Sequence, residues 1–290
     1  MYSIIGIGGR TPIHEESSLI DAFKVGQHIR LDGHTYTIEQ TIRGGMGLVL
    51  LCSAVEPSDS YLYCNRLATK VFSPDQDMNQ IRTELRLWQR LGHPHIVRLL
   101  AIGHVNDWLC ASMHWFPNGS ITANEMLSLG GLAAVQTMLT QMSEALKYAM
   151  KQNILHLDIK PANILSRYNS YYLADWGIAK FSARRAINNE PATGGTVPYM
   201  APERFLREPN GPAADIYSLG MTAFEMLTGT LPFSETSQDE MAQSIVLGRT
   251  STRCTAPGSL DKSSHYAAGS RACSRPAEVV NGFETRGAGI

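Results

Sequence analysis

The hydrophobic pattern changes once along this chain of 290 residues, and that change limits the folds it can adopt. The first third contains runs rich in β-branched and aromatic residues, which predict strands over 35–42, 47–54 and 61–72. A glycine-rich turn separates the first two runs, so we expect them to pair antiparallel. The sequence therefore predicts an α+β protein that begins with a small antiparallel sheet.

Most of the predicted helices follow the strands. A first helix is predicted over 76–92, because apolar residues recur there at the spacing of an amphipathic helix. Further helices are predicted over 132–153, 212–229 and 237–248. Gly229 is placed to end a helix, and Ser237 and Glu240 have the spacing of a capping box. The chain thus has a strand-rich beginning and a helix-rich remainder.

Composition and charge exclude several classes of protein. The chain is 43% hydrophobic and 18% charged with a formal charge of -1, which is typical of a soluble globular protein. Nothing indicates a basic surface for nucleic acid or an apolar run that could insert into a membrane. The scattered cysteines lack C-x-x-C spacing and indicate reduced thiols. We therefore expect a cytoplasmic protein that binds no nucleic acid.

Two short loops in the helical part carry the polar side chains of interest. "HLDIKPANIL" contains Asp158, Lys160 and Asn163, and "LADWGIAK" contains Asp175. An aspartate can accept a hydroxyl proton, and carboxylate and amide oxygens are ligands that suit Mg²⁺. A single H-x-D-x-x-x-x-N run is a weak signal, because polar loops are common.

Further motifs stand in a fixed order around these loops. "IRGGMGLV" is a glycine-rich turn between strands, "LATK" brings Lys70 onto the next strand, and Glu84 lies on the first predicted helix. "GGTVPYMAPE" follows the second loop. With these motifs the sequence resembles the eukaryotic-type (Hanks-type) serine/threonine protein kinases, and "RGGMG" is most similar to their bacterial members.

The resemblance implies a bilobal protein kinase-like fold. Its N-lobe, about 26–113, would be a small antiparallel sheet with one helix, and its C-lobe, about 114–248, would be mainly helical. The remaining implied segments are an N-terminal extension, 1–25, and an atypical or degraded end of the C-lobe, 249–290. The end is atypical because Leu260 is the only large aliphatic residue between 249 and 278.

The resemblance also implies ATP and Mg²⁺ as cofactors. The implied nucleotide-binding residues are Ile42, Gly44, Gly45, Gly47, Val49, Ala68, Lys70, Met113, Trp115 and Leu165. Lys70 would contact the α and β phosphates and pair with Glu84.

The other implied roles belong to the catalytic residues. Asp158 would orient the substrate hydroxyl and accept its proton, and Lys160 would steady the γ-phosphate. Asn163 and Asp175 would hold Mg²⁺. Thr196 would bond to Asp158 and Lys160, an arrangement that marks serine/threonine specificity in this family.

Three more expectations follow from the resemblance. Asp215 would brace the catalytic loop, "HLDIKPANIL", by bonding to its backbone. Glu203 is expected to be buried and would pair with a late arginine, for which Arg275 is the candidate. Leu157 stands where relatives carry an arginine that binds a phosphate on the activation segment, the stretch that "GTVPYMAPE" closes. We therefore expect activity without phosphorylation of that segment.

The resulting hypothesis is an ATP-dependent kinase that transfers the γ-phosphate to serine and threonine hydroxyls of proteins and to itself, with transient self-association for autophosphorylation. One alternative is a catalytically impaired kinase-fold scaffold or binding protein with an incomplete C-lobe. Another is a small-molecule phosphotransferase, for which "GTVPYMAPE" is not expected.

Overall fold

The computed structural model forms two compact units. Among the residues that the structure describes, the first unit contains those up to Gln89 together with Val97–Trp115, and the second contains Arg90–Ile96 and those from Phe116 onward. The residues that the structure describes are 22–31, 33–44, 47–56, 65–73, 76–181, 194–206, 208–233, 235 and 237–250. The units confirm the predicted fold class, since the first is built on an antiparallel sheet and the second is mainly helical.

The first unit contains a six-stranded antiparallel sheet in the order β1-β2-β3-β4-β6-β5. Its strands are β1 His28–Leu31, β2 His34–Gly44, β3 Gly47–Ala54, β4 Arg66–Val71, β5 Leu99–Val105 and β6 Trp108–His114. Helix α1, Met78–Gln89, lies between β4 and β5 in the chain. The β5–β6 hairpin was not predicted. It turns at Asn106 and Asp107, whose φ values of 50° and 69° suit these residue types.

Strand alternation separates the two faces of this sheet. In β3, Leu48, Leu50 and Cys52 are buried, whereas Val49 and Leu51 between them are half-buried. The buried set joins residues of β1, β2, β4, β5 and β6 in one apolar core. The other face is therefore left for contacts outside that core.

The second unit consists mainly of helices. They are α2 Ala123–Ser128, α3 Leu132–Lys151, α4 Pro202–Phe205, α5 Pro212–Thr228 and α6 Gln238–Leu247. Its strands are β7 Ile154–Leu155, β8 Ile164–Arg167, β9 Ser170–Leu173 and β10 Lys180–Phe181. β7 pairs with β10, and β8 pairs with β9, both antiparallel.

The helix predictions are confirmed apart from their ends and one cap. Gly229 ends α5 in the left-handed conformation with φ 74°, as predicted, and its N–H donates to the Glu225 carbonyl. The predicted capping box at Ser237 is wrong, because the Ser237 side chain makes no capping hydrogen bond. Ser237 and the first turn of α6 are exposed, so water can satisfy these N–H groups.

Within the part of the chain that the structure describes, none of the helices has the length and apolar character needed to cross a membrane. Arg275 and nearly all of the predicted segments 1–25 and 249–290 lie outside the described residues. The predicted domain boundaries therefore stay predictions.

Candidate active site

A row of side chains crosses one face of the first unit's sheet. Ile42 in β2 is opposite Val49 in β3, and Val49 is opposite Lys70 in β4. Ala68, two residues before Lys70, is opposite Met113 in β6. Residues directly opposite each other, or two apart on one strand, point to the same face of a sheet. Five predicted nucleotide-binding residues thus share the face opposite the apolar core.

The β2–β3 hairpin places two of the predicted glycines. Gly44 at the end of β2 is directly opposite Gly47 at the start of β3. Glycine has no Cβ, so the backbone at such a turn can approach a ligand closely. Gly45 lies between them, outside the described residues.

The last two predicted nucleotide-binding residues lie elsewhere. Trp115 directly follows β6, and the Arg66 guanidinium lies 5.1 Å from the centre of its ring. Leu165 belongs to β8 of the second unit. Their roles toward adenine stay predictions.

Lys70 and Glu84 form a buried ion pair. Lys70 Nζ lies 2.7 Å from Glu84 Oε1, and the two side chains are only 11% and 6% exposed. Glu84 lies on the buried face of α1 together with Ile81 and Leu85. Such a pair is stable only when each charge compensates the other. The predicted contact is therefore present, and it holds the ammonium group in one place.

The second unit brings together Asp158, Lys160 and Thr196, which we call the Asp158 cluster. Lys160 Nζ donates to Asp158 Oδ2 at 2.8 Å and to Thr196 Oγ1 at 2.7 Å. Thr196 Oγ1 donates to Asp158 Oδ1 at 2.9 Å. Both predicted contacts of Thr196 are present. The cluster places a proton acceptor, a cation and a hydroxyl within hydrogen-bonding distance of one another.

Asn163 is oriented by the same loop. Its Nδ2 donates to the Asp158 backbone carbonyl at 2.7 Å and to Asp158 Oδ2 at 3.1 Å. Because both bonds use the amide nitrogen, the amide oxygen can serve as a metal ligand.

The backbone just before Asp175 is bonded to Asn163. The N–H of Ala174, the residue before Asp175, donates to the Asn163 carbonyl at 2.8 Å. An amide oxygen and a carboxylate are the hard donors that Mg²⁺ prefers. The residues present therefore fit the implied magnesium ion.

Asp215 holds the backbone that leads into Asp158. It lies in α5, is 4% exposed, and accepts hydrogen bonds from the N–H groups of His156 at 2.9 Å and Leu157 at 2.7 Å. Burial raises the pKa of the Asp215 carboxyl, while His156 and the two backbone N–H groups oppose the shift. The predicted bracing contact is present.

The sequence model of the protein kinase domain matches residues 36–272. That match covers most of the chain. The chain belongs to the protein kinase family.

Several relatives carry kinase names. The serine/threonine-protein kinase PknH of Mycobacterium tuberculosis is 31% identical over 210 residues, which are 71% of this chain and 33% of the relative. PknE of Mycobacterium bovis is 33% identical over 66% of this chain and 34% of its own length. Mitogen-activated protein kinase kinase kinase 2 of Arabidopsis thaliana is 33% identical over 63% of this chain and 28% of its own length. The chain spans about a third of the length of these kinases.

Sequence reasoning missed one buried charge of this kinase domain. Glu203 was expected to be the buried residue of "APERF", but it is half-buried, and Arg204 is 4% exposed. The expectation was wrong because α4 turns Arg204 toward the catalytic loop, where it donates to the Leu157 carbonyl. The only sequence signal was the pair of glycines before Thr196, whose backbone Arg204 also contacts.

Proposed function

We propose that this chain is an ATP-dependent serine/threonine protein kinase that phosphorylates protein hydroxyls and itself. The observation that carries the proposal is the Asp158 cluster, in which a carboxylate, an ammonium group and a hydroxyl lie within 2.9 Å of one another. Phosphoryl transfer depends mainly on positioning and on neutralising the charge of phosphate oxygens. In the Asp158 cluster, the Asp158 carboxylate can position the substrate hydroxyl, and the Lys160 ammonium can neutralise phosphate charge.

In the proposed reaction, the hydroxyl oxygen of a substrate serine or threonine bonds to the γ-phosphorus of ATP. The bond from that phosphorus to the bridging oxygen of ADP breaks, and the hydroxyl proton passes to Asp158. Lys160 offsets negative charge on the transferred group, since its ammonium lies 2.8 Å from the proton acceptor and therefore close to the reacting hydroxyl. Asn163 and Asp175 would hold Mg²⁺, which supplies further neutralisation of phosphate oxygens when bound.

In the first unit, Lys70 would bind the α and β phosphates. Its pairing with Glu84 at 2.7 Å fixes the ammonium group on the sheet face that also carries Val49 and Ala68. These two apolar side chains would bind the adenine ring. The glycines of the β2–β3 hairpin would let the backbone approach the phosphates.

A cavity beside Thr196 supports a polypeptide substrate. It has a volume of about 330 Å³ and is lined by Gly195, Thr196, Val197, Pro198, Gln238 and Met241. A side chain neighbouring the acceptor serine could occupy it, because Thr196 directly contacts Asp158. The kinase names of the relatives point the same way. The cytoplasmic location, the self-association and the lack of nucleic-acid binding stay predictions.

The test is transfer of labelled γ-phosphate from ATP with Mg²⁺, with the chain alone and with a generic basic protein. We expect label on serine or threonine, and a loss of about 100-fold or more in Asp158→Asn. Asp107→Asn is the matched control, since Asp107 is exposed in the β5–β6 turn. No label from the wild type would favour the scaffold alternative, and label only on metabolites would favour a small-molecule phosphotransferase.

A further inference from the structure

We infer that Arg204 is a positioning residue, whose buried guanidinium holds the backbone before Asp158 and the backbone before Thr196 in a fixed relation. The inference rests on the proposed kinase activity and adds to it the group that sets the geometry of the Asp158 cluster.

The first contact of Arg204 is with the catalytic loop. Arg204 Nη1 donates to the Leu157 carbonyl at 2.6 Å, and that carbonyl belongs to the peptide group joining Leu157 to Asp158. The Leu157 N–H donates to Asp215 at 2.7 Å. A buried cation and a buried anion therefore hold the two backbone polar groups of one residue.

Leu157 needs this restraint, because it has a φ of 67°. A leucine in the left-handed region is strained, and such a conformation persists only when the surrounding structure imposes it. Without the contact from Arg204, Leu157 could relax toward an ordinary backbone conformation. Relaxation there would turn the peptide group that leads into Asp158.

The second contact of Arg204 is with the segment that carries Thr196. Arg204 Nη2 donates to the Gly194 carbonyl at 2.9 Å, in the peptide group joining Gly194 to Gly195. The guanidinium is planar and its donors have a fixed geometry. One rigid group therefore sets the distance and angle between the two carbonyls, and with them the approach of Thr196 to Asp158.

The packing around Gly195 is a second observation that the guanidinium occupies a defined place. A Cβ on Gly195 would lie 2.9 Å from Arg204 Nη1 and 3.2 Å from Nη2. Contacts this short would force the guanidinium to move. The glycine before Thr196 thus makes room for Arg204 against the backbone.

Filling space does not explain a charged side chain at this position. Burial lowers the pKa of Arg204, and the carboxylates of Asp215, Asp158 and Glu203 oppose that shift. Apolar residues of similar volume often replace buried charges without loss of stability. The cation is better explained by the two carbonyls that it joins.

The test compares Arg204→Met and Arg204→Lys with Arg167→Met, a control at an exposed arginine of the same unit. For Arg204→Met we expect kcat per folded molecule to fall by about 10- to 100-fold, because small misplacements of reacting groups are costly. KM for ATP should stay close to the wild-type value, and lysine should restore part of kcat, since it keeps a charged donor without the fork. A purely structural role would lower the folded fraction and leave kcat per folded molecule unchanged.

A second measurement remains informative if Arg204→Met folds poorly. Gly195→Ala is combined with Arg204→Lys and Arg204→Met, and the denaturant unfolding midpoint of each variant is measured. Gly195→Ala should lower the midpoint less in the Arg204 variants, because the contact with the guanidinium is gone while the backbone strain at φ 100° remains.

The outcomes separate the inference from the proposed function. Additive effects of the two substitutions, or an unchanged kcat in Arg204→Met of an active wild type, would overturn the inference alone. A wild type that transfers no phosphate would overturn both proposals.

Discussion

The Thr196 hydroxyl donates to one charged group and accepts from another. It gives its proton to Asp158 at 2.9 Å and receives a hydrogen bond from Lys160 at 2.7 Å. A hydroxyl can do both at once, because it has one donor and two lone pairs. Thr196 therefore links the orientation of the proton acceptor to that of the cation.

Two substitutions of Thr196 distinguish the effect of its hydroxyl from the effect of its side-chain shape. Thr196→Val removes the hydroxyl and keeps the branching, so we predict a fall in kcat of about tenfold or more. Thr196→Ser keeps the hydroxyl and should stay near the wild type. The measurement is kcat for transfer to a basic protein at saturating ATP. Equal kcat values for the valine and serine variants would show that the hydroxyl has no part in catalysis.

Single residues differ in how well the sequence predicts them. Asp158, Lys160 and Thr196 were found because their side chains belong to motifs with fixed spacing. Arg204 could not be found in this way, because its partners are backbone carbonyls, and any residue type supplies a carbonyl. The left-handed conformation of Leu157 was also invisible, since leucine does not favour it.

Helix α5 attaches two elements of the candidate site. Through Asp215 it holds the backbone before Asp158. Through Ser218 it donates to the Tyr199 carbonyl at 2.8 Å, in the short 3₁₀ turn Val197–Tyr199 that follows Thr196. The Tyr199 hydroxyl also donates to Glu225 at 2.6 Å. One helix thus anchors both segments from which the Asp158 cluster is built.

Because the Tyr199 hydroxyl is bonded to Glu225 of α5, we predict that Tyr199→Phe is measurably less stable than the wild type. Burial, and then the hydrogen bond to Glu225, raise the pKa of Tyr199, so the hydroxyl stays protonated and donates. Losing this bond to a carboxylate should lower the free energy of unfolding by about 1–2 kcal/mol. Urea denaturation measures it, with Tyr168→Phe as control because Tyr168 is 85% exposed. A Tyr199→Phe variant as stable as its control would show that Glu225 is no anchor.

Elements were predicted where they are long enough to show a period. Helices α3 and α5 span 20 and 17 residues, and their apolar positions repeat over several turns. Strands β7 and β10 have two residues each, too few for alternation, and they form because they pair with each other. The β5–β6 hairpin was missed although each of its strands has seven residues, because neither strand alternates between buried and exposed positions along its length.

Each of the two units contains a different set of the candidate site groups. The first contains the Lys70–Glu84 pair and the sheet face with Val49 and Ala68. The second contains the Asp158 cluster and Asn163. The fold class was predictable because the spacing of apolar residues changes from that of strands to that of helices near the point where the chain passes from the first unit to the second.

The most direct test of the proposed phosphoryl transfer is its Mg²⁺ dependence in Asp175→Asn. Asparagine tolerates the φ of 61° at this position and keeps the side-chain shape, so the fold should be retained. It lacks the carboxylate charge that would bind Mg²⁺ beside Asn163.

The measurement is the initial rate of γ-phosphate transfer from ATP to a basic protein across a range of Mg²⁺ concentrations. We predict that the wild-type rate rises with Mg²⁺ concentration and saturates. In Asp175→Asn the rate should fall by about 100-fold or more, while the melting temperature stays unchanged. A variant with the wild-type rate and the wild-type Mg²⁺ dependence would contradict the proposed catalytic site.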